Sequence, residues 1–328
     1  MELPVELDRA VSVLKAGGLV AFPTETVYGL GADATNPRAV ARIFEAKGRP
    51  RFDPLIVHIA SVDDAEEFVT ELPDAARQLA EAFWPGPLTL VLPKRSCIPD
   101  LVTSGLPGVG IRVPRHPLAA ELLRRYGRPL AAPSANPFSG ISPTTADHVN
   151  AGLGDSVDLI LDGGPCEVGL ESTVVSFMEG QPVLLRPGGC CLEDIEKVVG
   201  RIPQRESSSR PADSAQPSPG MLDRHYAPRT PLLLIERDEV AVPADGLACG
   251  LLSEGTRRAE AGFTRRIDLS PDGNLLECAA QFFGAMRELD DAGLDRIIAH
   301  RFPDHGLGLA LNDRLRRAAF PLNKAIDS

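Results

Sequence analysis

Five cations stand where an anionic ligand could be held. In EAKGRPRFDPLIVHIA, Lys47 and Arg49 crowd together with Arg51 and lead straight into an apolar run. Such crowding suits a phosphate or carboxylate, since Arg offers a planar donor fork and Lys a point charge. It suits equally the end of a helix, whose negative dipole attracts cations. In VGIRVP, Arg112 alternates with Ile111 and Val113 and so projects from the opposite face. An arginine in an apolar strand needs an acidic partner or an anionic ligand. Arg186 closes a further apolar run, VLLR.

Short hydroxyl and amide side chains lie beside these cations in the sequence. AFPTETVYGLG carries Thr24, Glu25, Thr26 and Tyr28, PSANPFSGISP carries Ser134, Asn136, Ser139 and Ser142, and ESTVV carries Ser172 and Thr173. Held in rigid turns, such groups orient phosphate and sugar oxygens; they also serve turns alone. His58 sits within the apolar run after KGRP, and a lone strand histidine is usually structural. The residues by themselves indicate an anion-binding groove able to hold a nucleotide and a small carboxylate. The chain has no GxxxxGK[ST], GxGxxG, HExxH or GxSxG signature, so a bound nucleotide must be held by another device.

The elements that must position these residues can be read from periodicity. Leu7, Val11 and Leu14 recur at helical spacing before Gly17-Gly18, and LVAFP follows as a short buried strand. Asn36-Pro37 caps a second helix, with Val40, Ile43 and Phe44 on one face, which ends at KGRP. PLIVHIA, LTLVLP, VGIRVP, PLAAPS, VDLILD, STVVSF and PVLLRP are strand candidates, separated by helical stretches around 61–70, 73–83, 117–126 and 145–151. Residues 1–200 therefore read as one α/β domain with a mixed sheet. Residues 201–230, rich in Ser, Pro and charge, read as a linker. Residues 231–328 read as a small α/β domain: strands PLLLIE, LACGLL and RIIAHR, a helix over about 276–289, and a final helix GLALNDRLRRAA.

The bulk numbers agree with a two-domain soluble protein. The chain has 328 residues, 43% hydrophobic and 24% charged. A formal charge of -11 disfavours non-specific binding to nucleic acid. Six cysteines form no CxxC pair, so neither zinc nor a disulfide framework is signalled, and reduced thiols in the cytoplasm are expected. The acidic, amphipathic start and the lack of a long apolar run predict neither signal peptide nor membrane span.

PTETVYGLG, KGRP with PL beyond it, SAN, ESTVV and LRPG, in this order and with the linker's SPGMLDRHYAP, resemble the YrdC-type threonylcarbamoyl-adenylate synthases in their longer, two-domain (Sua-type) form. The resemblance implies a YrdC-like twisted mixed sheet with flanking helices and a deep groove, followed by a smaller Rossmann-like α/β domain. It implies catalytic roles for Lys47, Arg49, Ser134 and Asn136. Threonine would be held by Thr26, His58, Arg112 and Ser172, with Arg112 on its carboxylate. ATP would be held by Arg49, Asp53, Ser134, Ser142 and Arg186, and Tyr226 of the linker would fold back over the nucleotide as part of a lid. Leu222-Asp223 stands where the family carries a basic-aromatic pair, and Cys190-Cys191 follows LRPGG with no role assigned.

The implied reaction joins L-threonine, bicarbonate and ATP into threonylcarbamoyl-AMP, releasing pyrophosphate, with Mg²⁺ accompanying ATP and no protein-held metal. The product would pass to the machinery that modifies an adenosine beside the tRNA anticodon, and a weak direct contact with tRNA is allowed. Every participant carries an anionic group, so charge neutralisation and alignment are the main tasks. The competing readings are a double-stranded RNA or tRNA-binding module, opposed by the net charge, and a domain that adenylates carbamoyl phosphate, opposed by the lack of cysteine-rich zinc segments.

Overall fold

The computed structural model describes residues 3–205, 215–222, 224–255 and 260–319. The linker's 206–214 and Asp223 lie outside the described residues. The chain divides into two compact units, Met1–Phe138, Pro143–Glu167 and Glu171–Met221 forming the first, and Ser139–Ser142, Val168–Leu170 and Leu222–Ser328 the second.

The first unit opens with α1 (Leu3–Lys15), β1 (Val20–Phe22), β2 (Gly29–Asp33) and α2 (Pro37–Lys47). Asn36 caps α2 by accepting from the Arg38 and Ala39 amides, and Gly48 ends it in the left-handed region at φ 61. This stop turns the chain at once and sends KGRP away from the helix axis. β3 (Ile56–His58), α3 (Asp74–Phe83), β4 (Leu88–Pro93), β5 (Gly108–Arg112), α4 (Pro117–Tyr126), β6 (Leu130–Ala131), α5 (Ala146–Leu153), β7 (Leu159–Ile160), β8 (Thr173–Ser176), β9 (Val183–Arg186) and α6 (Leu192–Val199) follow. The helix expected over 61–70 is only a 3₁₀ segment, Asp63–Glu67. Val69 pairs with Lys94 just beyond it, which draws the chain into the sheet before a longer helix can form.

The nine strands form one mixed sheet in the order β7-β1-β2-β6-β3-β5-β4-β8-β9. Alternation along the strands divides its two faces. Ala21, Leu30, Val57, Leu90, Ile111 and Val175 pack with α2, α3, α5 and α6 through Ile43, Leu79, Val149 and Ile195. On the other face Val20 and Phe22 pack with α1 and α4 through Leu7, Leu14, Leu118 and Leu122. These two helices cover only the β7-β1-β2-β6 end. Among the described residues of this unit no helix covers the second face of β3, β5, β4 and β8, and the groove lies there.

The second unit holds β10 (Leu232–Ile235), β11 (Cys249–Ser253), β12 (Arg265–Asp268), α7 (Leu275–Asp291), β13 (Arg296–His300) and α8 (Leu307–Ala318). Its sheet runs β10-β13-β11-β12 with every neighbouring pair parallel. Ala279, Phe282, Phe283 and Met286 form the buried face of α7. No helix among the described residues is long and apolar enough to cross a membrane.

Candidate active site

Five sequence motifs form two interlocked assemblies at the open half of the sheet. The Lys47 ammonium, at the end of α2, donates to the Ser134 carbonyl at 2.6 Å and to the Asn136 carbonyl. The Phe138 amide returns a bond to the Lys47 carbonyl at 2.8 Å. The Ala135 amide bonds the Tyr28 carbonyl, also at 2.8 Å, and Ser134 bridges Gly29. KGRP, SAN and PTETVYG are therefore one interlocked assembly.

ESTVV and LRPG make a second. Arg186 donates to the Ser172 carbonyl from Nε at 3.2 Å and from Nη2 at 2.9 Å. Nη2 also reaches the Ser172 hydroxyl at 3.3 Å. Gly188 of LRPG must be glycine, because a Cβ there would lie 2.3 Å from the Glu171 carbonyl oxygen. Thr89 of β4 meets the Ser172 hydroxyl at 2.7 Å, a residue for which the sequence gives no signal beyond its place in a strand.

Asp53 links the cations. Its carboxylate lies 2.9 Å from Arg49, at side-chain exposures of 0% and 3%. Burial raises its pKa, against the opposing charges of Arg49, Lys47 and Arg186 and the Gly220 amide. Arg49 also donates to the carbonyls of Asp53 and Pro54. Burial, and then the charge of Arg49, hold Lys47 well below an ordinary lysine. These cations are thus desolvated and aimed inward, which strengthens their pull on an anion that enters.

Arg112 and His58, neighbours on β5 and β3, form a separate corner. The Arg112 guanidinium donates from Nη2 to Glu25 Oε1 at 2.7 Å and from Nε to the Gly86 carbonyl at 3.2 Å. Glu25 Oε2 accepts from the Arg115 amide at 3.0 Å. Of the two options open for the strand arginine, an acidic partner or an anionic ligand, Glu25 supplies the first. Burial, then Arg112, push the His58 pKa down to about 3, so its ring is neutral. The Thr24 hydroxyl donates to the Val27 carbonyl at 2.7 Å. The Thr24 hydroxyl also accepts from the Thr26 and Val27 amides at 3.2 Å and lies 2.7 Å from the Thr26 hydroxyl.

The end of the linker lies along the same groove. The Gln216 amide bonds the Phe52 carbonyl at 3.1 Å, and Arg186 Nη1 bonds the Pro219 carbonyl at 3.0 Å. Beneath Pro217, Ser218 and Pro219, against Ile56, Thr89, Gly108 and Gly110, only about 10 Å³ stays empty, room for one water. This strap was not signalled residue by residue in the sequence.

The groove of the first unit thus gathers Lys47, Arg49, Asp53, Ser134, Asn136, Ser172 and Arg186, with Thr26, His58 and Arg112 on the PTET side. Ser142 and Tyr226 belong to the second unit. Tyr226, 1% exposed and at φ 60, packs against Phe283 at 5.8 Å between ring centroids. The Arg314 guanidinium lies 5.0 Å over its ring. Cys190 is buried and Cys191 half-buried at the start of α6, where the Cys190 carbonyl accepts from Thr173 at 2.6 Å.

Comparison with known proteins agrees with this assembly of motifs. A family profile described as "Telomere recombination" matches residues 12–188, and one described as "Threonylcarbamoyl-AMP synthase, C-terminal domain" matches residues 191–320. The threonylcarbamoyl-AMP synthase of Pyrococcus abyssi is 43% identical over 94% of this chain and 93% of its own. That of Bacillus subtilis is 44% identical over 96% of this chain and 93% of its own. The crystal structure of P. abyssi Sua5 complexed with L-threonine has a TM-score of 0.88 and 41% identity, covering 97% of this chain and 95% of that one. The chain belongs to the threonylcarbamoyl-AMP synthase family, in its two-domain form.

Proposed function

We propose that this protein makes threonylcarbamoyl-AMP from L-threonine, bicarbonate and ATP, releasing pyrophosphate. The observation that carries this is the division of one groove into a strongly cationic part around Lys47, Arg49 and Arg186 and a smaller corner around Arg112. The first suits the phosphates of ATP, and the second suits the carboxylate of an amino acid. That the P. abyssi relative was solved with L-threonine supports threonine as this amino acid.

In this reaction the threonine amine forms a C–N bond to bicarbonate with loss of water, giving a carbamate. A carbamate oxygen then bonds the α-phosphorus of ATP as the bond to pyrophosphate breaks. Lys47, Arg49 and Arg186 neutralise the phosphates and hold them in line; Ser134, Asn136 and Ser142 orient the nucleotide, and Asp53 keeps Arg49 aligned. Arg112 takes the threonine carboxylate, with Thr26, His58 and Ser172 around the rest of the molecule. Mg²⁺ enters with ATP as its counter-ion and covers the charge of the departing pyrophosphate. The strap and Tyr226 act as a lid over the nucleotide. In the cytoplasm the product passes to the enzymes that transfer its acyl group to tRNA.

An RNA-binding module finds less support, since Lys47, Arg49, Arg112 and Arg186 are all buried and none is presented to a duplex backbone. The deciding experiment is pyrophosphate release with threonine, bicarbonate, Mg²⁺ and ATP, each omitted in turn. Release is expected only from the complete mixture; release that ignores threonine would overturn the assignment.

A further inference from the structure

The corner around Arg112 is electrically complete before any substrate arrives. Arg112 and Glu25 are paired at 2.7 Å with side-chain exposures of 4% and 2%. Burial alone would raise the Glu25 pKa, but the charge and hydrogen bond of Arg112, with the Arg115 amide, bring it below the usual carboxylate value. Its neighbours add no charge. The His58 ring is neutral, and burial pushes the Cys166 thiol, which faces the Thr24 amide, Glu25 and Arg112, up to about 12. Thr24 and Thr26 are hydroxyls bonded to each other. The Arg115 side chain is turned out to Glu167, both groups exposed. The local sum is one plus and one minus.

Net charge decides what such a desolvated corner accepts, because an uncompensated buried ion costs several kcal/mol. A carboxylate that arrives alone leaves the corner at minus one. A carboxylate that brings its own ammonium leaves it at zero. The Arg112 fork still has N–H groups for an incoming carboxylate, since among the described residues its bonds are those from Nε to Gly86 and from Nη2 to Glu25.

We infer that Glu25 is a positioning and specificity-determining residue: it holds the Arg112 fork in place and balances its charge, so that the pocket admits the zwitterion of an α-amino acid and discriminates against a simple carboxylate. This rests on the reading of Arg112 as the threonine-carboxylate site. A consequence is that threonine enters this corner with its amine still protonated.

The test compares threonine with its deaminated analogue (2S,3R)-2,3-dihydroxybutanoate, a monoanion of the same carbon skeleton. Threonine-dependent pyrophosphate release by the full chain gives KM for threonine and ATP, and competition gives the inhibition constant of the hydroxy acid. In Glu25→Gln the threonine KM is expected to rise about tenfold or more, while the hydroxy acid binds as well as before or better and the KM for ATP stays put. Glu25→Asp, which keeps the charge and shortens the reach, is expected to raise the threonine KM yet keep the preference for threonine. If Glu25→Gln does not fold, retention of that preference in Glu25→Asp together with the raised KM supports the inference, and its loss overturns it. A parallel weakening of threonine and hydroxy acid in Glu25→Gln would make Glu25 merely structural and overturn it. Wild-type release indifferent to threonine would overturn the reading of the groove, and this proposal with it.

Discussion

At the scale of single residues, the groove is a set of desolvated charges whose ionisation depends on what fills it. Lys47 is held below its ordinary pKa by burial and by Arg49, and the phosphates of ATP favour its charged form. Affinity for ATP should therefore be full below the lowered pKa of Lys47 and fall as pH rises through it. Lys47→Arg, which stays charged, should flatten that fall, as a titration of ATP affinity against pH would reveal; an unchanged profile would remove Lys47 from the phosphate site. Arg112→Ala should raise the threonine requirement on the order of 100-fold while leaving ATP affinity nearly intact. It also strands the Glu25 carboxylate, so the folded fraction must be measured alongside. Equal loss of both affinities would count against Arg112 as the threonine site. The need of Arg112 for an acidic partner or an anionic ligand was legible from strand alternation alone. That the partner is Glu25 was not, because the two residues are 87 positions apart and meet only through the sheet.

At the scale of elements, apolar runs were the readable part. The seven runs expected as strands after the first contain β3 to β9, because each buries its side chains on at least one face. β2 went unread. Its sequence, GLGAD, has little side chain to form a pattern, and the structure explains why it is so bare: a Cβ on Gly31 would sit 2.7 Å from the Phe22 ring. β12 and α6 were missed as well. β12 is RRID, whose residues are half-buried or exposed, and α6 is a short helix with one fully buried residue, Ile195. Gly31→Ala should cost about 1–3 kcal/mol by overpacking β1 against β2. Thermal unfolding measures this directly, and an unchanged melting temperature would mean that Phe22 moves aside freely. Because β2 leaves the PTET loop, the same substitution should also weaken threonine use.

At the scale of the whole chain, the change of texture after Arg201 was legible as a linker, since a stretch rich in Ser and Pro buries too little to build its own core. What composition could not convey is that its last residues are fixed to the groove by particular backbone groups: the Gln216 amide, the Pro219 carbonyl on Arg186 and the Gly220 amide toward Asp53. Tyr226, six residues on, is instead packed with Phe283 and Arg314 of the second unit. The strap and the tyrosine thus belong to different units, and two truncations separate them functionally. A chain ending at Arg205 loses both, whereas one ending at Met221 keeps the strap and loses Tyr226; both lack Leu222–Ser328. Each strap hydrogen bond is worth about 1 kcal/mol net, partly offset by the ordering of the segment, so together they amount to roughly a tenfold effect. Both truncated proteins are expected to fold, with pyrophosphate release below that of the full chain. The longer should exceed the shorter by about that factor, provided that strap contacts and not Tyr226 dominate closure over ATP. Equal activity of the two would assign closure to Tyr226 and the second unit; full activity in the shorter would remove the lid from the mechanism altogether.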